Sequence, residues 1–227
     1  MAKTKKTTAA NTPYPQLVQD IFNNMVLSYQ KMLNGTPQFC PAFIGSTNKL
    51  KIPERNLTFN FCHHYLHNTK TINGVDVYVW QELAIKNGNN KNGHIDSMIL
   101  DLRENVLLLI EAKRIASGGA KVNKEKKHKY DSLQNDMKRL CDLVLPNIQT
   151  GVWNIPDDLV TVIKQKKPAV YAMALVDYWD WQNRRSVKNE TCKLNFEKCS
   201  GNPFVQINTS PIQTGTYYLN YFLKQLP

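Results

Sequence analysis

Two β-like runs, residues 95–102 and 106–115, are separated only by Arg103, Glu104 and Asn105, and that spacing leaves the centre of this chain few alternatives. Both runs are dense in Ile, Leu and Val, and so short a link predicts an antiparallel hairpin. Side chains alternate faces along a strand, so Glu111 and Lys113 share one face while Ile110 and Ala112 point into the opposite layer. If the turn centres on Arg103 and Glu104, or on Glu104 alone, the numbers of opposing residues sum to about 207 or 208. Asp96 then lies across from Glu111 or Ala112. Asp101 falls near Val106 or Leu107, several residues away, and is the weaker partner.

A third run, residues 75–85, is rich in Val, Tyr and Trp and is joined to the hairpin by an Asn/Gly-rich turn at 86–93. The same arithmetic pairs Glu82 with Asp96 or Ser97. Helical spacing of Leu17, Ile21, Met25, Val26 and Tyr29 predicts a helix over 14–32. Pro53 at a first helical position, Glu54 in the first turn and Leu57, Phe61, His64 and Tyr65 along one side predict a second over 53–67. Beyond a Gly break at 117–119, the lysine-rich segment 122–145 reads as a helix with Tyr130, Leu133, Met137, Leu140 and Val144 as its buried stripe. Residues 169–176 are almost wholly apolar and have the length of a strand covered on both faces. The segment before 169, with its Pro and Asp residues and basic 164–167, reads as a loop, 177–214 as irregular and 216–226 as a short aromatic helix. No internal repeat is present. The expected fold is α/β: a mixed sheet of antiparallel hairpins plus a further strand, flanked by helices. It forms one domain over 13–227 behind a basic disordered tail at 1–12.

With 227 residues the chain is long enough for one good core. Its 29 Lys and Arg against 18 Asp and Glu leave a formal charge of +11, which attracts polyanions, with nucleic acid the leading candidate. An anionic membrane surface would require a basic amphipathic helix that is not evident, and no apolar run is long enough to span a bilayer. Five cysteines, Cys40, Cys62, Cys141, Cys192 and Cys199, form no CxxC pair, arguing against a disulfide framework and a zinc knuckle. A cytoplasmic setting is expected.

Three acids, Asp96, Glu111 and Glu82, with Lys113 at the end of an apolar sheet are costly to assemble, because close carboxylates repel unless a cation sits among them. Hard oxygen ligands without a Cys or His cluster suit Mg²⁺, with Mn²⁺ as a substitute. Such an ion polarises a phosphate, and a neighbouring lysine orients water or offsets developing charge.

Asp96, fourteen intervening residues and then Glu111-Ala112-Lys113 at the end of a hydrophobic strand resemble the D-x(n)-E-x-K signature of the PD-(D/E)XK nuclease superfamily. That group includes many restriction endonucleases, Holliday-junction resolvases and recombination exonucleases. Helix, three antiparallel strands, helix and strand also follow in its order, so the resemblance covers about residues 53–177. It implies a restriction-endonuclease-like core, Asp96 and Glu111 as metal ligands, Lys113 as the catalytic lysine, and Glu54 or Glu82 as an accessory acid. Ile95 stands where the family name has proline. The implied activity is metal-dependent DNA endonuclease cleavage, in the manner of a type II restriction enzyme, with homodimerisation by analogy alone. The alternatives are an inactive DNA-binding module of the same fold and an RNA-binding protein without hydrolytic activity.

Other features carry weaker signals. Cys62, His63 and His64 are consecutive and cannot share one helix face, so a metal site there is disfavoured. His94 has the parity of Asp96 and is either a phosphate or metal contact or an exposed turn residue. Lys124, Lys126, Lys127 and Lys129 either track a DNA backbone or form a solvated face. Gln134 and Lys138 flank the buried stripe of their helix, where they would lean towards Lys113. Arg184 and Arg185, beside Tyr178, Trp179 and Trp181, have the make-up of a nucleic-acid-binding loop, although the tryptophans equally suit a cap on the core.

Overall fold

A computed structural model describes residues 13–39, 55–68, 76–86, 92–117, 120–142, 153–180, 205–213 and 217–226. Three strands, β1 (Val77–Lys86), β2 (Asn92–Asp101) and β3 (Val106–Ser117), run antiparallel in succession. The fourth, β4 (Ala169–Asp180), lies parallel to β3, and β5 (Val205–Gln213) and β6 (Tyr217–Gln225) complete a six-stranded mixed sheet in the order β1-β2-β3-β4-β6-β5. Helices α1 (Tyr14–Phe39) and α2 (Arg55–Asn68) cover one face, and α3 (Ala120–Asp142) and α4 (Asp157–Lys166) cover the other.

Each layer follows from its apolar stripe. Val18, Ile21, Phe22 and Met25 of α1, with Leu57, Phe61 and Tyr65 of α2, bury against Ile99, Leu108, Ile110, Met173 and Tyr221. Phe22 meets Tyr221 with ring centres 4.7 Å apart, and Tyr221 Oη donates to Gln19 Oε1 at 3.0 Å. On the opposite face Leu133, Met137 and Leu140 of α3 and Leu159, Val160 and Ile163 of α4 bury against Leu107, Leu109, Ala172 and Ala174. β3 and β4, covered on both sides, are the centre of the molecule, which is why their sequences are nearly continuous apolar runs. Among the described residues no helix is long and apolar enough to cross a membrane.

The β2–β3 hairpin has the expected register. Asp101 pairs with Val106 and Ser97 with Ile110, each pair summing to 207. Asn105 takes φ 50° in the turn, a left-handed conformation that asparagine tolerates. Asp101 stabilises this turn: its Oδ1 accepts the main-chain N–H of Arg103 at 3.0 Å and of Glu104 at 3.2 Å, while Oδ2 accepts from Arg103 Nη2 at 2.9 Å and Tyr65 Oη at 3.2 Å.

Three expectations need correction. Residues 216–226 do not close the chain as a helix. Tyr217–Gln225 is strand β6, with Leu219, Tyr221 and Leu223 on the α1/α2 face and Phe222 on the other. Its apolar residues face both layers, so the clean alternation that marks a half-buried strand is missing and a helical period is easily read into it. The segment read as a loop before β4 contains α4: Pro156 precedes it, Asp157 and Asp158 occupy the first turn where the helix dipole favours carboxylates, and Lys164 and Lys166 occupy the last. Residues 177–214 are not irregular throughout, since β4 extends to Asp180 and β5 begins at Val205. The tail at 1–12 lies outside the described residues.

Candidate active site

Strands β2 and β3 part company at one point. Their ladder ends at Ser97↔Ile110, yet β2 stays paired to β1 as far as Lys86↔Asn92, and β3 stays paired to β4 as far as Ser117↔Asp180. The sheet therefore forks just beyond Ile110, and Asp96, Glu111 and Lys113 are the residues at the fork.

A matched irregularity sets the position of Asp96. Going along β1, the residues joining the α3/α4 cluster are Tyr78 and Trp80 and then Leu83 and Ile85, while along β2 they are Ile95 and then Met98 and Leu100. Each strand skips one place in its alternation at a single rung, where Glu82 stands opposite Asp96 between the pairs Gln81↔Ser97 and Leu83↔Ile95. Glu82 adopts φ 55°, an uncommon conformation for a residue with a Cβ and one that concentrates at functional sites. Beyond the last ladder pair, Asp96 substitutes its side chain for the missing strand partner: Oδ2 accepts the main-chain N–H of Ala112 at 2.7 Å.

On β3 the alternation is regular. Ile110 and Ala112 join the α1/α2 core, so Glu111 and Lys113 face α3. There α3 presents Asp136 and Arg139, three residues apart and therefore neighbours on the helix surface. Lys113 Nζ lies 3.4 Å from Asp136 Oδ2, and Arg139 Nη2 lies 2.6 Å from Glu111 Oε1 and 3.6 Å from Asp136 Oδ1. The same Nη2 donates to the main-chain oxygen of His94 at 2.6 Å.

Glu111 is almost fully buried, with 2 % of its side chain exposed. Burial pushes its carboxyl up to about 9, the nearby carboxylates of Asp96 and Asp136 add to the effect, and Arg139 and Lys113 only partly oppose it. A carboxylate in this position ionises readily only if further positive charge arrives.

The fork collects some of the residues singled out from sequence and leaves others aside. Asp96, Glu111 and Lys113 come together. Glu82 shares the rung of Asp96 but is exposed, and among the described residues no three His, Cys, Asp or Glu side chains are grouped to hold a metal ion. Gln134 is half-buried on α3, and Lys138 is exposed while Asp136 faces Lys113. His94 is exposed and contributes its main-chain oxygen. Asp101 belongs to the hairpin turn at the other end of the strands. On α2, His63 and His67 approach to 4.3 Å between ring centres, and Cys62 is buried against Ser97 at 3.1 Å. Glu54, Arg184 and Arg185 lie outside the described residues, as do the side chains of Lys126 and Lys127.

Asp136 and Arg139 were not anticipated. They flank the Leu133/Met137/Leu140 stripe on the side opposite Gln134, and the order of residues in a helix does not reveal which flank faces a given strand end. An Asp–Arg pair at i and i+3 beside the stripe was the available signal.

Comparison with protein-family models, with curated proteins and with solved structures finds no match. What defines this chain is its α/β architecture, a mixed sheet between two helical layers, with a cluster of acids and cations at a fork in that sheet.

Proposed function

We propose that this domain is a Mg²⁺-dependent nuclease with a restriction-endonuclease-like core that hydrolyses DNA phosphodiesters. The observation that carries this reading is the convergence of Asp96 and Glu111 at the strand fork, with Lys113 two residues along on the face of Glu111. The succession α2, β1, β2, β3 and α3, with β4 following after the additional helix α4, supports it, since apart from α4 it is the order that the PD-(D/E)XK resemblance implies.

The donors fit a hard divalent ion. Asp96 and Glu111 offer carboxylate oxygens, and the buried Glu111 is held back from ionising by want of positive charge. These two residues would hold Mg²⁺ or Mn²⁺, whose contribution when bound is Lewis-acid polarisation of the scissile phosphate. The protein's own part is positional. Asp136 fixes the Lys113 ammonium beside the acids, where it can donate a hydrogen bond to the attacking water or to a phosphate oxygen as charge builds up. The β2–β3 ladder ends at Ser97↔Ile110, so these acids stand where the two strands separate. The overall charge of +11 draws the polyanion in.

The test is a cleavage assay on supercoiled plasmid and on RNA, in Mg²⁺ and in EDTA, with Lys113→Ala and Glu111→Ala alongside. The expected result is Mg²⁺-dependent nicking or cutting of the plasmid that both variants lose while still shifting DNA in a gel. Cutting that survives EDTA, or that both variants retain, would overturn the reading. Cutting of RNA alone would replace the substrate. Discrete plasmid fragments would identify a sequence-reading endonuclease, and a smear a non-specific one.

A further inference from the structure

Arg139 is the cation that meets Glu111 directly, and it does so in an incomplete way. Its Nη2 carries two hydrogens, which are used by Glu111 Oε1 and by the main-chain oxygen of His94, each at 2.6 Å. The buried Nε has no hydrogen-bond partner among the described residues. Arginine binds a carboxylate most strongly through two parallel bonds, and here one such bond reaches Glu111. From α3, the side chain thus ties together both prongs of the fork, β2 through His94 and β3 through Glu111, with part of its hydrogen-bonding capacity unmet.

The charges around it explain why a cation sits there. Three carboxylates, Asp96, Glu111 and Asp136, share the space with two cations, Lys113 and Arg139. Without Arg139, Lys113 would be left to oppose the acids that act on Glu111 among the described residues, and Glu111 is too deeply buried for water to supply the rest. A divalent ion placed between Asp96 and Glu111 would be repelled by a guanidinium already in contact with Glu111.

We propose that Arg139 is a resident counter-cation, holding the fork closed over Glu111 in the metal-free protein and giving way when a divalent ion takes the same carboxylate. This rests on the nuclease reading of the site. Arg139 is on this view a positioning residue that sets the metal affinity of the site.

The experiment is calorimetric titration of the whole chain with Mg²⁺, without DNA and in alkaline buffer where protons compete least. Removal of the competing charge in Arg139→Gln is expected to tighten Mg²⁺ binding by about tenfold or more. Arg139→Met, which keeps the packing of the stem, gives the same result if the glutamine variant folds poorly. Arg139→Lys retains the charge and is expected to stay within about threefold of wild type. Neutral variants that bind Mg²⁺ no more tightly than wild type would overturn the proposal, since a merely structural arginine lowers the melting temperature and leaves affinity unimproved. Asp96→Asn separates the two levels: if it weakens binding while Arg139→Gln does not strengthen it, the counter-cation idea alone fails. If Asp96→Asn leaves Mg²⁺ binding unchanged, the metal reading of the fork fails and the proposal falls with it.

Discussion

Replacing Glu111 with glutamine should stabilise the metal-free protein. Glu111 titrates near 4.5 in an unfolded chain and is pushed up to about 9 in the fold, chiefly by burial. A carboxyl whose folded value is raised contributes stability that is complete below its unfolded value and is lost as pH rises through the folded one. Between those limits the loss is about 1.4 kcal/mol per pH unit, so at pH 7 it amounts to roughly 3 kcal/mol. Glutamine keeps an oxygen to accept from Arg139 and has no charge to desolvate, so Glu111→Gln escapes the loss. Urea unfolding in EDTA over a range of pH is the assay. Wild type and variant should be equally stable near pH 4, with the variant ahead by about 3 kcal/mol at pH 7. Mg²⁺ should then raise the stability of the wild type and leave the variant unmoved. A variant that tracks the wild type at every pH, or is less stable at neutrality, would refute the claim that Glu111 is a carboxylate short of positive charge.

Other outcomes follow from the same arrangement. Lys113→Ala should lower kcat on plasmid DNA by about a hundredfold or more, with DNA affinity in a gel shift nearly unchanged, because the amine acts on developing charge. Asp101→Ala should cost about 3 kcal/mol in a thermal or urea melt by removing the buried carboxylate that accepts from the Tyr65 hydroxyl and from the main-chain N–H groups of the hairpin turn, with Mg²⁺ affinity unaffected. The Cys62 thiol, buried and pushed up to about 11, should resist a thiol reagent at pH 8 in the folded protein and react once urea unfolds it.

Much of this architecture was legible because a few residues carry strong local rules. The three-residue link at 103–105 sets the hairpin register, which runs from Asp101↔Val106 to Ser97↔Ile110 and so brings Asp96 and Glu111 to the end of the ladder. Parity along β3 placed Lys113 with Glu111 and against Ile110 and Ala112. What stayed hidden depends on tertiary geometry. The skipped rung at Glu82 and Asp96 needs both strands to shift together, and nothing local marks it except a glutamate at positive φ. Asp136 meets Lys113 and Arg139 meets Glu111 through the packing of α3 on β3, which apolar periodicity does not specify. β6 was hidden for the opposite reason: sandwiched between two layers, it has apolar residues on both faces and no readable period.

A crystal soaked in Mn²⁺, with anomalous scattering recorded at the manganese edge, addresses the metal directly. One peak is expected at the strand fork, about 2.0–2.3 Å from carboxylate oxygens of both Asp96 and Glu111, and it should vanish in Asp96→Asn. A peak that touches only one of the two acids, or no peak at a Mn²⁺ concentration that supports DNA cleavage, would contradict a shared ion at the fork.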